Sequence, residues 1–252
     1  MRDLSSLFLL VGVELQRRNP VLFSPNAQST MVEFTSQDTF EVAKLHFEAV
    51  PWCASLLGSP DIVTFNPPCR SPPDPAGLSI SKDQLFRQIL NTAEAVPACL
   101  GFYIRPSKTK SDAGVPRPKA SRLLLDSTTL LFSLQPGVNG FQGWTHGGLL
   151  AALMDEAMGS CFYINYRLQA EAKLQRALPV DMMDLTAVNT VTARMDIKLK
   201  KPLPTPAVVL VKTTLVEISG RKILVETTIE GETGVQYAAC DATWIALPRE
   251  RL

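Results

Sequence analysis

The chain has 252 residues, is 46% hydrophobic and 19% charged, and carries a formal net charge of +1. That is enough apolar material for a real core, so the chain as a whole is not disordered, and nucleic acid lacks the basic excess it usually needs. The five cysteines (Cys53, Cys69, Cys99, Cys161 and Cys240) contain no C-x-x-C pair, which argues against a zinc site and a disulfide framework and for a reducing compartment.

In chain order, the first apolar run is Leu7 to Val13, closed by Glu14. It is too short to span a membrane, and no small-residue cleavage site follows it. A cytoplasmic address is expected ahead of an organellar, mitochondrial one, which Arg2, Arg17 and Arg18 would fit. The first 120 residues hold thirteen of the nineteen prolines. NPPCRSPPDP (66–75) reads as an irregular linker, flanked by helices predicted over 39–57 and 81–96. The second opens with Ser81 and Gln84 in capping-box relation. A basic, proline-dotted stretch, 105–122, reads as an exposed loop.

From Arg122 the texture changes. LLLDSTTLLFSL (123–134) is strand-like, and GGLLAALMDEAMGSCFYINYRLQAEAKLQ (147–175) reads as one long helix. Four strand-like runs follow: 191–200, 207–218, 221–231 and 235–247. The first puts Met195, Ile197 and Leu199 on one face and Arg194, Asp196 and Lys198 on the other. Strand, long helix and four antiparallel strands imply an α+β fold, with a single helix covered by one curved antiparallel sheet. The predicted division is an extension over 1–120, with two helices and a Pro-rich linker, and a main domain over 121–252.

The chemistry concentrates in GWTHGGLLAALMDEAMG (143–159). Two adjacent acids, Asp155 and Glu156, stand among Leu149, Leu150, Leu153, Met154, Ala157 and Met158, where an acid is costly unless paired or used. The first N–H groups of a helix lack internal partners and stabilise an oxyanion in front of them. Gly147 and Gly148 let a ligand come close to those amides, and His146 can orient or polarise the same carbonyl. Asp155 can serve as a general base for water or as a nucleophile. In one helix, however, Gly147 and Asp155 lie roughly 12 Å apart along the axis, too far to touch one carbonyl. If both act, the carboxylate comes from a second subunit.

The spacing of HGGLLAALMDE, His146 to Asp155, resembles the hotdog-fold acyl-CoA thioesterases of the PaaI-like group. VTARMDIKLKKPLPTP (191–206) and EISGRKILVETTIEG (217–231) are similar to the next strand and hairpin of that family, and the leader is comparable to that of extended fungal relatives. The resemblance implies a hotdog fold and thioester hydrolysis without metal or organic cofactor, coenzyme A being part of the substrate. It makes Gly147 the oxyanion-hole amide, His146 its neighbour on the thioester and Asp155 the base or nucleophile. Thr192 would hold the water or the carboxylate. It also implies homodimers, often paired into tetramers, with sites at the dimer interface.

Substrate contacts are expected from Gly148, Asn139, Glu156, Lys198 and Lys200, the lysines meeting the coenzyme A phosphates together with Lys201. Many relatives carry an asparagine where this chain has Gly140, with Asn139 one place earlier. The segment 168–188 is longer than in compact members and is expected to cap the acyl site. Carrier-protein-bound acyl groups are an alternative substrate, in lipid housekeeping or in product release from a biosynthetic synthase. The rival readings are a non-catalytic acyl-binding protein of the same fold and, below it, a hotdog dehydratase or hydratase.

Overall fold

The computed structural model describes residues 36–71, 83–106, 122–175, 179 and 182–249. Two helices come first, α1 (Ser36–Glu48) and α2 (Pro51–Leu57), where one was expected. Pro51 lacks an N–H and forces Val50 into extended backbone (φ −95°, ψ 115°), so the helix stops and restarts with Pro51 in its first turn. The helix predicted over 81–96 shrinks to a single wide turn, Leu85–Ile89, and Ser81 lies outside the described residues. Arg70 donates to the carbonyls of Phe86 and Val96 (2.9 and 2.7 Å), so a tertiary contact holds the Phe86 oxygen that a longer helix would have used.

The leader also supplies two strands the periodicity did not reveal, β1 (Ile62–Phe65) and β2 (Ala98–Ile104). They continue into β3 (Ser127–Leu134), the hairpin β4 (Asn139–Phe141) and β5 (Trp144–Thr145), and the 28-residue helix α3 (Gly147–Leu174). Then come β6 (Val188–Leu199), β7 (Ala207–Ser219), β8 (Lys222–Glu230) and β9 (Gln236–Pro248). Seven strands form one antiparallel sheet in the order β1-β2-β3-β7-β8-β9-β6. β1 and β2 thus pair into the same sheet as the strands that follow residue 121. At Gly101 on β2, an added Cβ would run into the Phe65 ring on β1.

α3 packs on one face of this sheet. Leu153, Met154, Ala157 and Met158 meet Phe132, Val211, Ile223 and Trp244 in one continuous core. The opposite face of β2, β3 and β7 is covered by α1 and α2, with Phe47 and Cys53 against Leu100, Phe102 and Leu131. That double cover explains why Leu130 to Leu134 is buried at every position, since a strand roofed on both sides reads as an unbroken apolar run. The architecture is the hotdog fold, a long helix wrapped by a curved antiparallel sheet. β6 is an edge strand, paired to β9 and, among the described residues, to no other strand.

Among the described residues, no helix is long and apolar enough to cross a membrane. The described part of the 168–188 segment is anchored to the later half of α3. Gln169 donates to the Met183 carbonyl (2.9 Å) and accepts from Leu185 N–H (2.8 Å), and Lys173 pairs with Asp184 at 2.5 Å. Those anchors sit roughly 21 Å or more beyond Asp155 along α3 at 1.5 Å per residue; residues 176–178, 180 and 181 lie outside the described residues, as does most of the basic loop 105–122.

Candidate active site

The start of α3 is built by the hairpin before it. Gly143 turns the chain with φ +80°, a conformation that favours glycine, and Thr145 N–H and His146 N–H donate to the carbonyls of Leu203 and Val138. His146 becomes the N-cap in extended backbone (φ −63°, ψ 131°). Its Nδ1 accepts from Gly148 N–H at 2.9 Å, which leaves the ring proton on Nε2, exposed and able to donate. Gly148's amide is therefore spent. Gly147 N–H donates to no acceptor among the described residues, and the first turn carries no acid to neutralise the positive end of the helix.

The glycines here are needed for close approach. A Cβ on Gly148 would stand 3.0 Å from Nδ1 of His146, and one on Gly140 would stand 2.9 Å from its Cδ2. Position 140 therefore abuts the histidine ring. Asn139 is engaged by Thr205, whose hydroxyl donates to its Oδ1, so it fastens the hairpin to the 202–206 turn. Gly148→Ala is expected to push the imidazole off its cap and lower turnover by about tenfold, with the melting temperature little changed. A steady-state assay beside a thermal melt checks this, and unchanged turnover would mean the ring position does not matter.

Two turns along, Asp155 accepts a hydrogen bond at its Oδ1 from the Thr192 hydroxyl at 2.6 Å. The alternation on β6 alone would have turned Thr192 outward with Arg194 and Asp196. A β-bulge corrects this. Thr192 pairs with Trp244 and Arg194 with Thr243, so Ala193 is an extra residue that resets the pleat and turns Thr192 toward α3. Asp155 is half-buried and Thr192 exposed, so the pair sits open at the free edge of the sheet.

Glu156 faces elsewhere. Its carboxyl accepts from the Cys69 thiol and lies beside Asp83 and Arg70 of the leader; burial, then the charge of Asp83, push its pKa up to about 7. Cys69, Asp83 and Glu156 bring three donor atoms within 4.8 Å of one another, on the leader side of α3 and away from Thr192. The five cysteines are free and buried, and burial raises the thiols of Cys53, Cys161 and Cys240 to about 12, 11 and 11, so those three are poor nucleophiles.

In front of Gly147 opens a cleft of about 550 Å³, lined by Gly140, Phe141, Trp144, His146, Leu199, Lys200, Lys201 and Leu203 among others. Phe141 and Trp144 are exposed there. Lys200 and Lys201 reach the cleft; Lys198 lies on the outer face of the sheet, paired with Asp241 at 3.2 Å. Of the residues expected at the site, His146, Gly147 and Gly148 stand together, Asp155 and Thr192 form a second group, and Lys200 borders the first. Lys201 and the two aromatics complete the cleft; Lys201 is read from the sequence with the other two lysines, whereas Phe141 and Trp144 read most simply as core or interface.

Residues 142–238 match the family model described as the thioesterase superfamily. Over 185 residues the chain is 31% identical to verlamelin biosynthesis protein B of Lecanicillium sp, covering 68% of this chain and 77% of that protein. The chain belongs to the thioesterase superfamily. It is also 28% identical over 125 residues to the acyl-coenzyme A thioesterase THEM4 of Mus musculus, a match that covers 49% of this chain and 45% of that one. The chain thus spans less than half the length of that superfamily relative. Among solved structures, the PaaI protein of E. coli, from the phenylacetic acid degradation operon, aligns at 10% identity with a TM-score of 0.38, over 50% of this chain and 78% of that one.

Proposed function

We propose that the protein hydrolyses an acyl thioester, of coenzyme A or of a carrier protein, at a site shared by two copies of the chain. The observation that carries the reading is the pairing of an unspent Gly147 N–H at a helix N-terminus with a carboxylate, Asp155, already fixed by Thr192. The thioester carbonyl sits against Gly147 N–H and His146 of one copy. Asp155 of the partner subunit accepts a proton from water, whose oxygen attacks the carbonyl carbon. The negative charge moves to the carbonyl oxygen, where the helix end stabilises it. The C–S bond then breaks, and the leaving thiolate takes up the proton that Asp155 accepted, which restores the carboxylate. The thiol arm lies in the cleft, with Lys200 and Lys201 near the phosphates. These steps call on no metal or organic cofactor.

Sharing follows from the helix. Gly147 and Asp155 are roughly 12 Å apart in one copy, and β6 offers a twelve-residue free edge beside Thr192 for a second copy to pair with. His146→Ala and Asp155→Ala chains, each inactive alone, should regain activity when unfolded and refolded together. A random mixture restores about a quarter of the wild-type rate, since half the dimers are mixed and each carries one intact site. No recovery, with mixed dimers demonstrated by mass, would sink the shared site. If no acyl-CoA and no carrier-bound acyl group releases thiol, the fold is used for acyl binding instead.

A further inference from the structure

We propose that Gly159 and Trp244 form the acyl-side subsite, taking a long or bulky apolar acyl group; this rests on the thioesterase reading above. Gly159 lies one turn beyond Asp155, on the same face of α3. A glycine inside a helix costs about 0.5–1 kcal/mol relative to alanine. Among the described residues nothing requires it here. An added Cβ would meet only Trp244 Cη2 at 3.8 Å, an ordinary contact, and the residue lies in regular helix. The space it leaves is half-exposed, on the side from which Thr192 reaches Asp155.

The floor of that space is rigid and apolar. Trp244 is directly opposite Thr192 across β6 and β9, so its indole lies on the inner face beside the Thr192–Asp155 pair. Its Nε1–H donates to Met158 Sδ at 3.1 Å, and its ring tilts against Phe162 with centroids 4.8 Å apart. With the indole N–H already engaged, the surface presented under Gly159 is carbon. Gly147 and the lysine-bordered cleft take the thiol arm, and Asp155 marks the reacting carbon. In the shared site the reacting carbon lies at the Asp155 of the copy that does not supply Gly147. The acyl group takes the open space beside that Asp155, over the bare backbone at Gly159 and onto the indole edge of the same copy.

The test compares wild type with Gly159→Ala and Gly159→Leu on short-chain, long-chain and aryl-acyl coenzyme A esters, with the mass of the assembly measured by light scattering. Gly159→Leu is expected to raise the short-over-long ratio of kcat/KM at least tenfold while the assembly is unchanged. Gly159→Ala, whose methyl the site accommodates, should shift the ratio in the same direction by less and melt no lower than wild type. A ratio unmoved by leucine overturns the proposal. So does a uniform loss accompanied by dissociation, which would assign the glycine to contact between subunits. A wild type that hydrolyses none of the esters fails at the thioesterase reading, before the subsite is in question.

Discussion

Asp155→Ala is expected to lower kcat by about 10²–10⁴, the range typical of a lost general base, while leaving the melting temperature within a few degrees of wild type. The carboxylate is half-buried at an open edge, and its one hydrogen bond among the described residues is from an exposed threonine, so little of the fold depends on it. Thr192→Val keeps the shape of the side chain but removes the donor. It should cost roughly tenfold, since a charge-assisted hydrogen bond contributes about 1.5–3 kcal/mol and water replaces part of it at an exposed position. Glu156→Ala serves as the contrast, because its carboxyl faces Cys69 and not Thr192. Thiol release from a panel of acyl-CoAs reads all three. If Asp155→Ala retains most of the activity and Glu156→Ala loses it, the acid has been assigned to the wrong neighbour and the chemistry lies on the leader side of α3.

That contrast also marks how far the sequence could be read. The central helix and the strands after it were legible because their alternation is regular and each has one face on the core. The His-Gly-Gly pattern was legible for another reason. A glycine pair before a helix often only makes a turn, but here two acids follow it in an otherwise apolar stretch, at a spacing that resembles the family's. Thr192 was reached only through resemblance. Its inward turn depends on the bulge at Ala193, and period-two alternation counted back from Met195 places it on the wrong face. β1 and β2 escaped because each is short, bracketed by proline-rich chain, and buried by elements distant in sequence. The role of Glu156 was out of reach as well. Helical geometry separates it from Asp155 by about 100°, but only the folded leader, bringing Cys69, Arg70 and Asp83 to α3, decides what it meets.

The burial of Glu156 makes it a pH-dependent liability for stability. Its ordinary value of 4.5 is raised to about 7 in the folded chain, first by burial and then by the nearby charge of Asp83. Between those two values the folded state holds a proton that the unfolded state has released, so this group's stability contribution is complete below pH 4.5 and is lost as pH rises to about 7. Glutamine has nearly the same shape, still accepts from the Cys69 thiol, and never ionises. Glu156→Gln should therefore match wild type near pH 4.5 and exceed it by on the order of 2 kcal/mol at pH 8, a figure reduced from the full shift because the side chain is only partly shielded from water. Urea unfolding at the two pH values gives the difference directly. A constant offset at both would mean that Glu156 is already ionised at the lower pH, with Arg70 holding it charged despite its surroundings. An offset that grows with pH would identify the leader's contact with α3 as the place where the protein gives up stability on the alkaline side. Because that contact adjoins Asp155 on the same helix, the activity of wild type and Glu156→Gln should diverge over the same pH interval only if loosening the leader reaches the site.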